Sequence, residues 1–457
     1  MQAKFTGSRF AQMFGLKAFV TIVLVLLFFI PLQMISSTIS ERSFRAKEVA
    51  REIAGKWAQA QAVQGPFLVI PGERVNPASD SGEMQYRKVV LLPDQLTADA
   101  RVNTEERSRG IFDTVVYTTE VKLSGDFTAE AFAKAGFEAE GWRLRLDQAV
   151  LALGIDDLRG IQGDLTARWG GAALATEPGM PAGALLPKSG IHWPLAGQVR
   201  LQDEGTAFEV AFTLRGSSRL AFLPVGKRSV ITLQGNWPSP SFNGHGLPVS
   251  HDVREDGFSA RWDIFHLSRP LPQSWTSDAR QIVDLKPFTV GAAFLQPVNF
   301  YLLSQRSVKY GLLIVALLFL TFFLFEVLAG IALHPLQYLM VGGGLVLFFL
   351  SLVSFAEVIG FAAAYGLSAA LVAAMVSLYA AAILKRRLWA ALLFAMIAGL
   401  YGLLYLILNL EEAALLAGTL LLFAALGLTM YVTRHVDWFN VGKTPPAPEE
   451  NVEEAAL

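Results

Sequence analysis

The stretch YGLLIVALLFLTFFLF, residues 310–325, opens an almost uninterrupted apolar region that continues to Thr433. A soluble fold needs many charged residues on its outer surface, and this region contains only seven. A membrane-spanning helix needs about 20 apolar residues to cross roughly 30 Å of hydrocarbon. The charges divide the region into segments of that length, which predicts a bundle of transmembrane helices. They are Glu326, Glu357, Lys385, Arg386, Arg387, Glu411 and Glu412.

The overall composition excludes several classes of function. The chain has 457 residues, a formal net charge of −1 and no cysteine. A near-neutral chain without a long basic run gives no reason to expect a nucleic-acid partner. The lack of cysteine excludes disulfides, thiolate metal sites and cysteine nucleophiles. A domain outside the cytoplasm would therefore be stabilised by its hydrophobic core alone, which a large domain can provide.

A first span is predicted near the N-terminus, where an apolar run from Ala18 to Ile35 follows a basic segment. The run is too long for a signal peptide and no Ala-x-Ala-like cleavage pattern follows it. We therefore predict an uncleaved anchor, residues 18–38. The basic flank, residues 1–17, stays in the cytoplasm by the positive-inside rule, so the chain leaves the membrane on the other side.

Residues 39–64 are predicted to form an amphipathic helix next to the membrane. Val49, Ile53 and Trp57 recur at helical spacing, and charged residues occupy the other faces. Gly65-Pro66 is expected to end this helix. The helix could continue the anchor as one rod or lie on the bilayer.

Residues 65–307 have the pattern of a β domain. Short runs alternate apolar and polar residues between Gly, Pro, Asn and Asp breaks, as in Trp142–Leu146 and Phe208–Phe212. We predict a large, mostly antiparallel, sandwich-like β domain inserted between the first and second spans. A Gly- and Pro-rich stretch near residues 175–190 could divide it into two lobes.

Residues 308–433 are predicted to contain five further spans, which gives six transmembrane helices in all. These five are residues 308–331, 338–356, 361–384, 388–409 and 413–433. With six spans, both termini are cytoplasmic and the basic loop at residues 385–387 also faces the cytoplasm, as the positive-inside rule requires. The β domain then lies on the opposite side. Residues 434–457 form a cytoplasmic tail, mostly disordered because it is rich in Pro and Glu.

Glu326 is the one charge clearly inside a predicted span, and acids at that depth are candidate functional residues. A structural role is the alternative. Glu326 lies near the cytoplasmic end, close to His334, and could be protonated or paired there. Glu357 and the Glu411-Glu412 pair lie in short outer loops, where they could bind a cation or simply hydrate the turn.

The sequence contains no recognisable catalytic or metal-binding pattern. The segment at residues 245–256 holds two histidines and three acidic residues, but their spacing matches no metalloenzyme motif. Phosphate-binding loops, nucleophile elbows and zinc-protease motifs are absent as well. We therefore predict no enzyme activity, no metal and no cofactor. Trp237 and Trp262 are candidates for a contact surface, since aromatic residues dominate such surfaces, although they also dominate β cores.

Several strings occur in a fixed order along the chain, from the first predicted span to about Asn440. They are GPFLVIP at 65–71, RGIF at 109–112, LRGS at 214–217, FLPVG at 222–226, WPSPSF at 237–242, DGFSARW at 256–262, HPLQY at 334–338 and DWF at 437–439. This ordered set resembles the CreD family of bacterial inner-membrane proteins. Two residues depart from the family pattern. Val358 stands where His is expected in Ser-x-x-Glu-His-x-Gly-Phe, and Phe439 stands where Tyr is usual.

The resemblance implies an inner-membrane protein of Gram-negative bacteria that supports cell-envelope integrity. It also implies a link to the Cre two-component stress response, to bacteriocin tolerance and to the β-lactam response. No catalytic residues come with the resemblance. We therefore expect a non-enzymatic protein that acts through its periplasmic β domain on lipid, on a peptidoglycan precursor or on an envelope protein.

Two other functions stay open from the sequence. One is a lipid or small-molecule transporter or flippase that uses Glu326 within the helical bundle, although no internal repeat supports it. The other is a membrane-tethered hydrolase, which would need a catalytic cluster that the sequence does not show.

Overall fold

The structure, a computed structural model, divides the chain into two compact units. One unit is Ala46–Val298, here called the β unit, and the other is Met1–Arg45 with Asn299–Leu457, here called the helical unit. The residues that the structure describes are 6–75, 83–128, 141–183, 186–199, 205–269, 271–277, 285–294, 300–329, 334–384, 387–410 and 414–434.

The described helices account for the apolar regions of the sequence. They are α1 Thr6–Leu27, α2 Phe29–Trp57, α3 Phe300–Lys309, α4 Gly311–Ala329, α5 Pro335–Ile359, α6 Phe361–Leu384, α7 Arg387–Asn409 and α8 Ala414–Thr433. Within the described residues, five helical stretches are long and apolar enough to cross a membrane. The pair α3 and α4, bent by 41°, would make a sixth.

Small residues let the helices of the helical unit approach each other closely, as is common in membrane bundles. A Cβ atom on Gly342 would come within 2.2 Å of the Phe28 ring and 2.9 Å of Phe319. One on Gly344 would lie 3.2 Å from Val376. Glycine at these positions therefore sets how closely α5 lies to its neighbours.

The predicted amphipathic helix at residues 39–64 is not a separate element, and its predicted end was wrong. α2 continues without a break to Trp57, and residues 61–64 already belong to a strand. Those four residues pair in parallel with residues 220–223. Strand pairing and burial in the sheet therefore outweigh the local helical spacing, as tertiary contacts often do.

The second predicted span, residues 308–331, also differs from the structure. The helix starts earlier, so the last residues of the predicted β domain at 65–307 belong to α3. The chain then bends between Lys309 and Gly311. At the bend, a Cβ atom on Gly311 would lie only 2.7 Å from Leu32, so glycine allows this close contact.

The β unit consists of two sheets. Its strands are β1 Gln61–Val75, β2 Met84–Leu91, β3 Gln95–Arg109, β4 Phe112–Phe127, β5 Arg143–Leu144, β6 Val150–Ile155, β7 Ile161–Trp169, β8 Ala172–Ala173, β9 Glu177–Pro178, β10 Gly190–Pro194, β11 Thr206–Ser217, β12 Arg219–Leu223, β13 Arg228–Gly235, β14 Pro240–Gly244, β15 Ser250–Arg254, β16 Gly257–Phe265, β17 Ser274–Thr276 and β18 Val290–Phe294. The ten-stranded sheet has the order β14-β18-β12-β1-β6-β10-β9, with β2 and β5 beside β1 and β17 beside β2. The eight-stranded sheet has the order β15-β16-β13-β3-β4-β11-β7-β8.

The two sheets share one hydrophobic core, which includes Phe67 and Leu151 of one sheet and Leu123 and Phe212 of the other. Among the described strands, the pairings are antiparallel except β1 with β12 and β3 with β13. Burial alternates along strands such as β3, as expected when one face covers a core. A division into two lobes near residues 175–190 does not occur, because β9 and β10 extend the ten-stranded sheet.

The C-terminal end of α2 is held against the strands of the β unit. The guanidinium carbons of Arg107 and Arg215 lie 4.8 Å and 4.2 Å from the Trp57 ring centroid. Such cation–π contacts contribute about 0.5–1 kcal/mol each at exposed sites. Arg159 also donates to the Gly55 carbonyl at 2.7 Å, which satisfies one of the open carbonyls at the helix end.

Substitution of Trp262 tests the position of the core. Trp262 has no exposed surface, and its Nε1 donates to the Gly246 carbonyl at 3.0 Å. Trp262→Ala should lower the free energy of unfolding by about 3–5 kcal/mol because it leaves a cavity. The control Leu267→Ala removes a side chain that is 87% exposed and should change stability by less than about 0.5 kcal/mol. Equal melting temperatures for both variants of the full-length protein would contradict this placement.

Candidate functional site

Glu326 of α4 forms an ion pair with Lys17 of α1. The Lys17 ammonium donates a hydrogen bond to Glu326 Oε1. The Glu326 side chain is 9% exposed and the Lys17 side chain 37% exposed. An unpaired charge inside hydrocarbon costs several kcal/mol, so each of these groups compensates the other. The sequence places Lys17 only in the basic flank and carries no signal that it is the partner of Glu326.

A cavity of about 140 Å³ adjoins this ion pair. The Tyr338 hydroxyl, from α5, is close enough to Glu326 to interact with it electrostatically. It makes no hydrogen bond of standard geometry within the described residues. The Tyr338 ring packs edge-on against Phe319 at 5.3 Å. The residues that line the cavity are Leu16, Lys17, Val20, Thr21, Leu24, Glu326, Pro335 and Tyr338.

His334 has a local structural role at the start of α5. Its Nδ1 accepts from the Leu336 amide at 3.2 Å, and Gln337 Oε1 accepts from the His334 amide at 2.9 Å. This reciprocal arrangement is a capping box, which satisfies amides that have no partner inside the helix. The cavity beside Glu326 is lined by other residues. His334 is therefore a helix cap in this structure.

Glu357 lies at the other end of α5 and is also paired. Tyr301 donates to Glu357 Oε1 at 3.0 Å, and Arg42 Nε lies 3.9 Å from the same oxygen. The Glu357 side chain is 10% exposed, so it does not offer an open carboxylate to a cation. The Glu411-Glu412 pair lies outside the described residues.

The two ion-pair clusters lie at opposite ends of α5. Tyr338 is in its first turn and Glu357 is nineteen residues later, which is about 28 Å along an α-helix. The hydrocarbon layer of a bilayer is roughly 30 Å thick. The charges therefore lie at the two edges of an apolar slab of membrane thickness.

The β unit does not carry the candidate sites that the sequence indicated. Trp237 and Trp262 are 8% and 0% exposed, so they belong to the core and do not form a contact surface. His245 Nε2 lies 2.8 Å from the Ser268 carbonyl, and the His251 ring packs on Phe242 at 5.5 Å. Among the described residues, no group of three or more His, Asp or Glu side chains is arranged to hold a metal ion.

One region of the β unit exposes several apolar side chains together. The loop that follows β14 and the turn that follows β16 touch through His245 and Ser268. Exposed apolar groups concentrated in this way often mark an interaction surface. We call this region the apolar rim; its residues are Leu247, Val249, Phe265 and Leu267, all at least 54% exposed.

Comparison with known proteins confirms the resemblance seen in the ordered strings. Residues 13–439 match the family described as inner membrane protein CreD. The chain is 33% identical over 420 residues to inner membrane protein CreD of Escherichia coli (strain K12). The match covers 91% of this chain and 91% of that protein.

Substitution of the ion pair tests whether Lys17 and Glu326 stabilise each other. Glu326→Gln or Lys17→Met alone leaves one poorly solvated charge, and each should cost about 1–3 kcal/mol of stability. The double variant leaves no unpaired charge, so its loss should be smaller than the sum of the single losses. Melting temperatures of the purified full-length protein measure this. Glu255→Gln, an exposed acid, serves as a control, and additive losses would contradict the coupling.

Proposed function

Because the chain belongs to the CreD family of inner-membrane proteins, we propose that it maintains cell-envelope integrity from the inner membrane of a Gram-negative bacterium. The observation that carries this proposal is similarity along 91% of the chain to an inner-membrane protein, combined with apolar helices and a large β unit. The proposed role is non-enzymatic and belongs to the response to envelope stress, including bacteriocin tolerance and the β-lactam response.

The proposed topology has six spans, two cytoplasmic termini and a periplasmic β unit. The distribution of basic residues supports it, and so do the two ion-pair clusters. The Lys17–Glu326 pair would lie at the cytoplasmic edge of the membrane and the Arg42–Glu357 pair at the periplasmic edge. When successive helices cross the membrane in alternating directions, their neighbouring ends lie at the same membrane edge. This arrangement brings Lys17 near Glu326 and Arg42 near Glu357.

The β unit would act through its surface on another envelope component: lipid, a peptidoglycan precursor or a protein. Its tryptophans are unsuited to this role because they are buried. The apolar rim supports a contact role, since its side chains are exposed whereas Ala260 and Trp262 of β16 are covered by the core.

A second candidate function, transport of a lipid or small molecule through the helical unit, is favoured by the cavity beside Glu326. The pairing of Glu326 with Lys17 argues against transport, because it explains the acid by a structural role. A Glu326→Gln variant that loses function at normal protein level would favour transport, whereas a scaffold should keep its function.

Thiol labelling tests the topology directly, because the chain has no cysteine of its own. Leu267→Cys places a thiol at an 87% exposed position in the β unit and should react with a membrane-impermeant maleimide in intact spheroplasts. Ala455→Cys near the C-terminus should react only after lysis. The unchanged protein is the background control. The reverse labelling pattern would contradict the proposed orientation.

Complementation of a deletion strain tests the proposed role of the β unit. The full chain should restore the barrier to outer-membrane dyes and to detergent, whereas a version with residues 46–298 replaced by an inert periplasmic domain should not. Leu247→Ser combined with Leu267→Ser should reduce the rescue at unchanged protein level. The control Tyr86→Ser alters a similarly exposed side chain, 75% exposed, in β2 of the ten-stranded sheet. Full rescue by the helical unit alone would contradict the proposal.

A further inference from the structure

The cavity between α1, α4 and α5 has two chemically different walls. Leu16, Val20 and Leu24 form an aliphatic row on α1 at four-residue spacing, so they lie on one face of that helix. The polar part of the lining, here called the polar wall, consists of the Lys17–Glu326 ion pair, whose lysine also belongs to α1, and the Tyr338 hydroxyl. An apolar row beside a compact polar pocket matches the two parts of an amphipathic molecule.

The charges of the polar wall restrict the ligand. Lys17 and Glu326 have opposite charges and are held together, so a purely anionic ligand would be repelled by the carboxylate and a purely cationic one by the ammonium. A zwitterion satisfies both, because its anionic group can approach Lys17 while its cationic group approaches Glu326. Each of the four charges then lies next to charges of opposite sign, and the Lys17–Glu326 ion pair does not have to separate.

Tyr338 adds a second, independent observation. The residue is 5% exposed, and its hydroxyl has no hydrogen bond of standard geometry in the described part of the chain, although it lines the cavity. Glu326 is its nearby hydrogen-bond partner but is poorly placed, so a ligand that completes the hydrogen bonding of this buried hydroxyl is favoured. A primary ammonium group has three N–H donors, enough to reach both the Glu326 carboxylate and the Tyr338 oxygen.

The aliphatic wall indicates where the rest of the ligand lies. Neighbouring side chains of α1 are largely exposed, with Phe19 at 63% and Leu16 at 61%, as expected for a helix that faces lipid. The cavity, about 140 Å³, can hold a small polar head group but not a whole lipid. Acyl chains would extend along the exposed apolar surface of α1.

We propose that this cavity binds the head group of a phospholipid that carries both a phosphate and a primary amine, with the phosphate at Lys17 and the amine at Glu326 and Tyr338. A choline head group fits less well, because its quaternary nitrogen is larger and has no N–H to donate. A glycerol head group has no cation for Glu326. This site does not depend on the role proposed for the β unit.

Lipid binding to the purified full-length protein tests the proposal. The protein in mild detergent is mixed with equal amounts of phosphatidylethanolamine, phosphatidylcholine and phosphatidylglycerol, and bound lipids are counted by native mass spectrometry. The wild type should retain phosphatidylethanolamine over the other two. Glu326→Gln and Tyr338→Phe should each reduce this preference, Glu326→Gln by about tenfold, because each removes a hydrogen-bond partner of the amine.

Two controls keep the result specific. Glu357→Gln alters another largely covered acid in the described part of the helical unit, outside the lining of the cavity, and should keep the preference. Tyr338→Phe keeps the Lys17–Glu326 pair, so it reports on the cavity even if Glu326→Gln unfolds the protein. Equal retention of all three lipids, or a preference that persists in Tyr338→Phe, would overturn the proposal. Displacement of the lipid by an equal concentration of free phosphoethanolamine would overturn the assignment to a lipid.

Discussion

A charge in a hydrocarbon layer must be paired or lie at its edge, and this constraint organises the helical unit. The unit meets it in both ways. Lys17 with Glu326 and Arg42 with Glu357 are ion pairs, and they lie near opposite ends of the same helix, α5. Between them, the contacts of α5 depend on close approach, as where Gly342 meets the Phe28 ring. The charged ends align the helices, and the small residues set their spacing.

The β unit depends on a different interaction. It has no disulfide, so its hydrophobic core stabilises it. Two sheets enclose one core in which large side chains such as Trp193 and Trp262 are fully buried. Among the described residues, buried polar side chains are far fewer than buried apolar ones, and one of them is Arg269. Burial lowers the pKa of Arg269 to about 10, yet its guanidinium donates to the Val225 and Gly226 carbonyls. Such capping of carbonyls compensates part of the cost of burying a charge.

The Lys17–Glu326 pair links the stability of the helical unit with the proposed binding site. As an ion pair it explains why an acid can remain within an apolar helix. As the wall of a cavity, with Tyr338 beside it, the same pair presents two opposite charges at a fixed separation. One arrangement can serve both purposes, because a zwitterionic ligand adds to the pair without breaking it. The lipid site proposed for the helical unit does not depend on the role proposed for the β unit.

The sequence by itself determined the features that depend on neighbouring residues. Apolar runs predicted the helices, period-two alternation predicted the β unit, and the ordered strings indicated the family. The tertiary structure decided what depends on distant residues. Glu326 finds its partner 309 residues away, Trp262 is covered by a sheet, and residues 61–64 become a strand because they meet β12. Hydrophobic periodicity involves neighbouring residues of one helical turn or one strand, whereas packing contacts between distant residues form only when the chain folds.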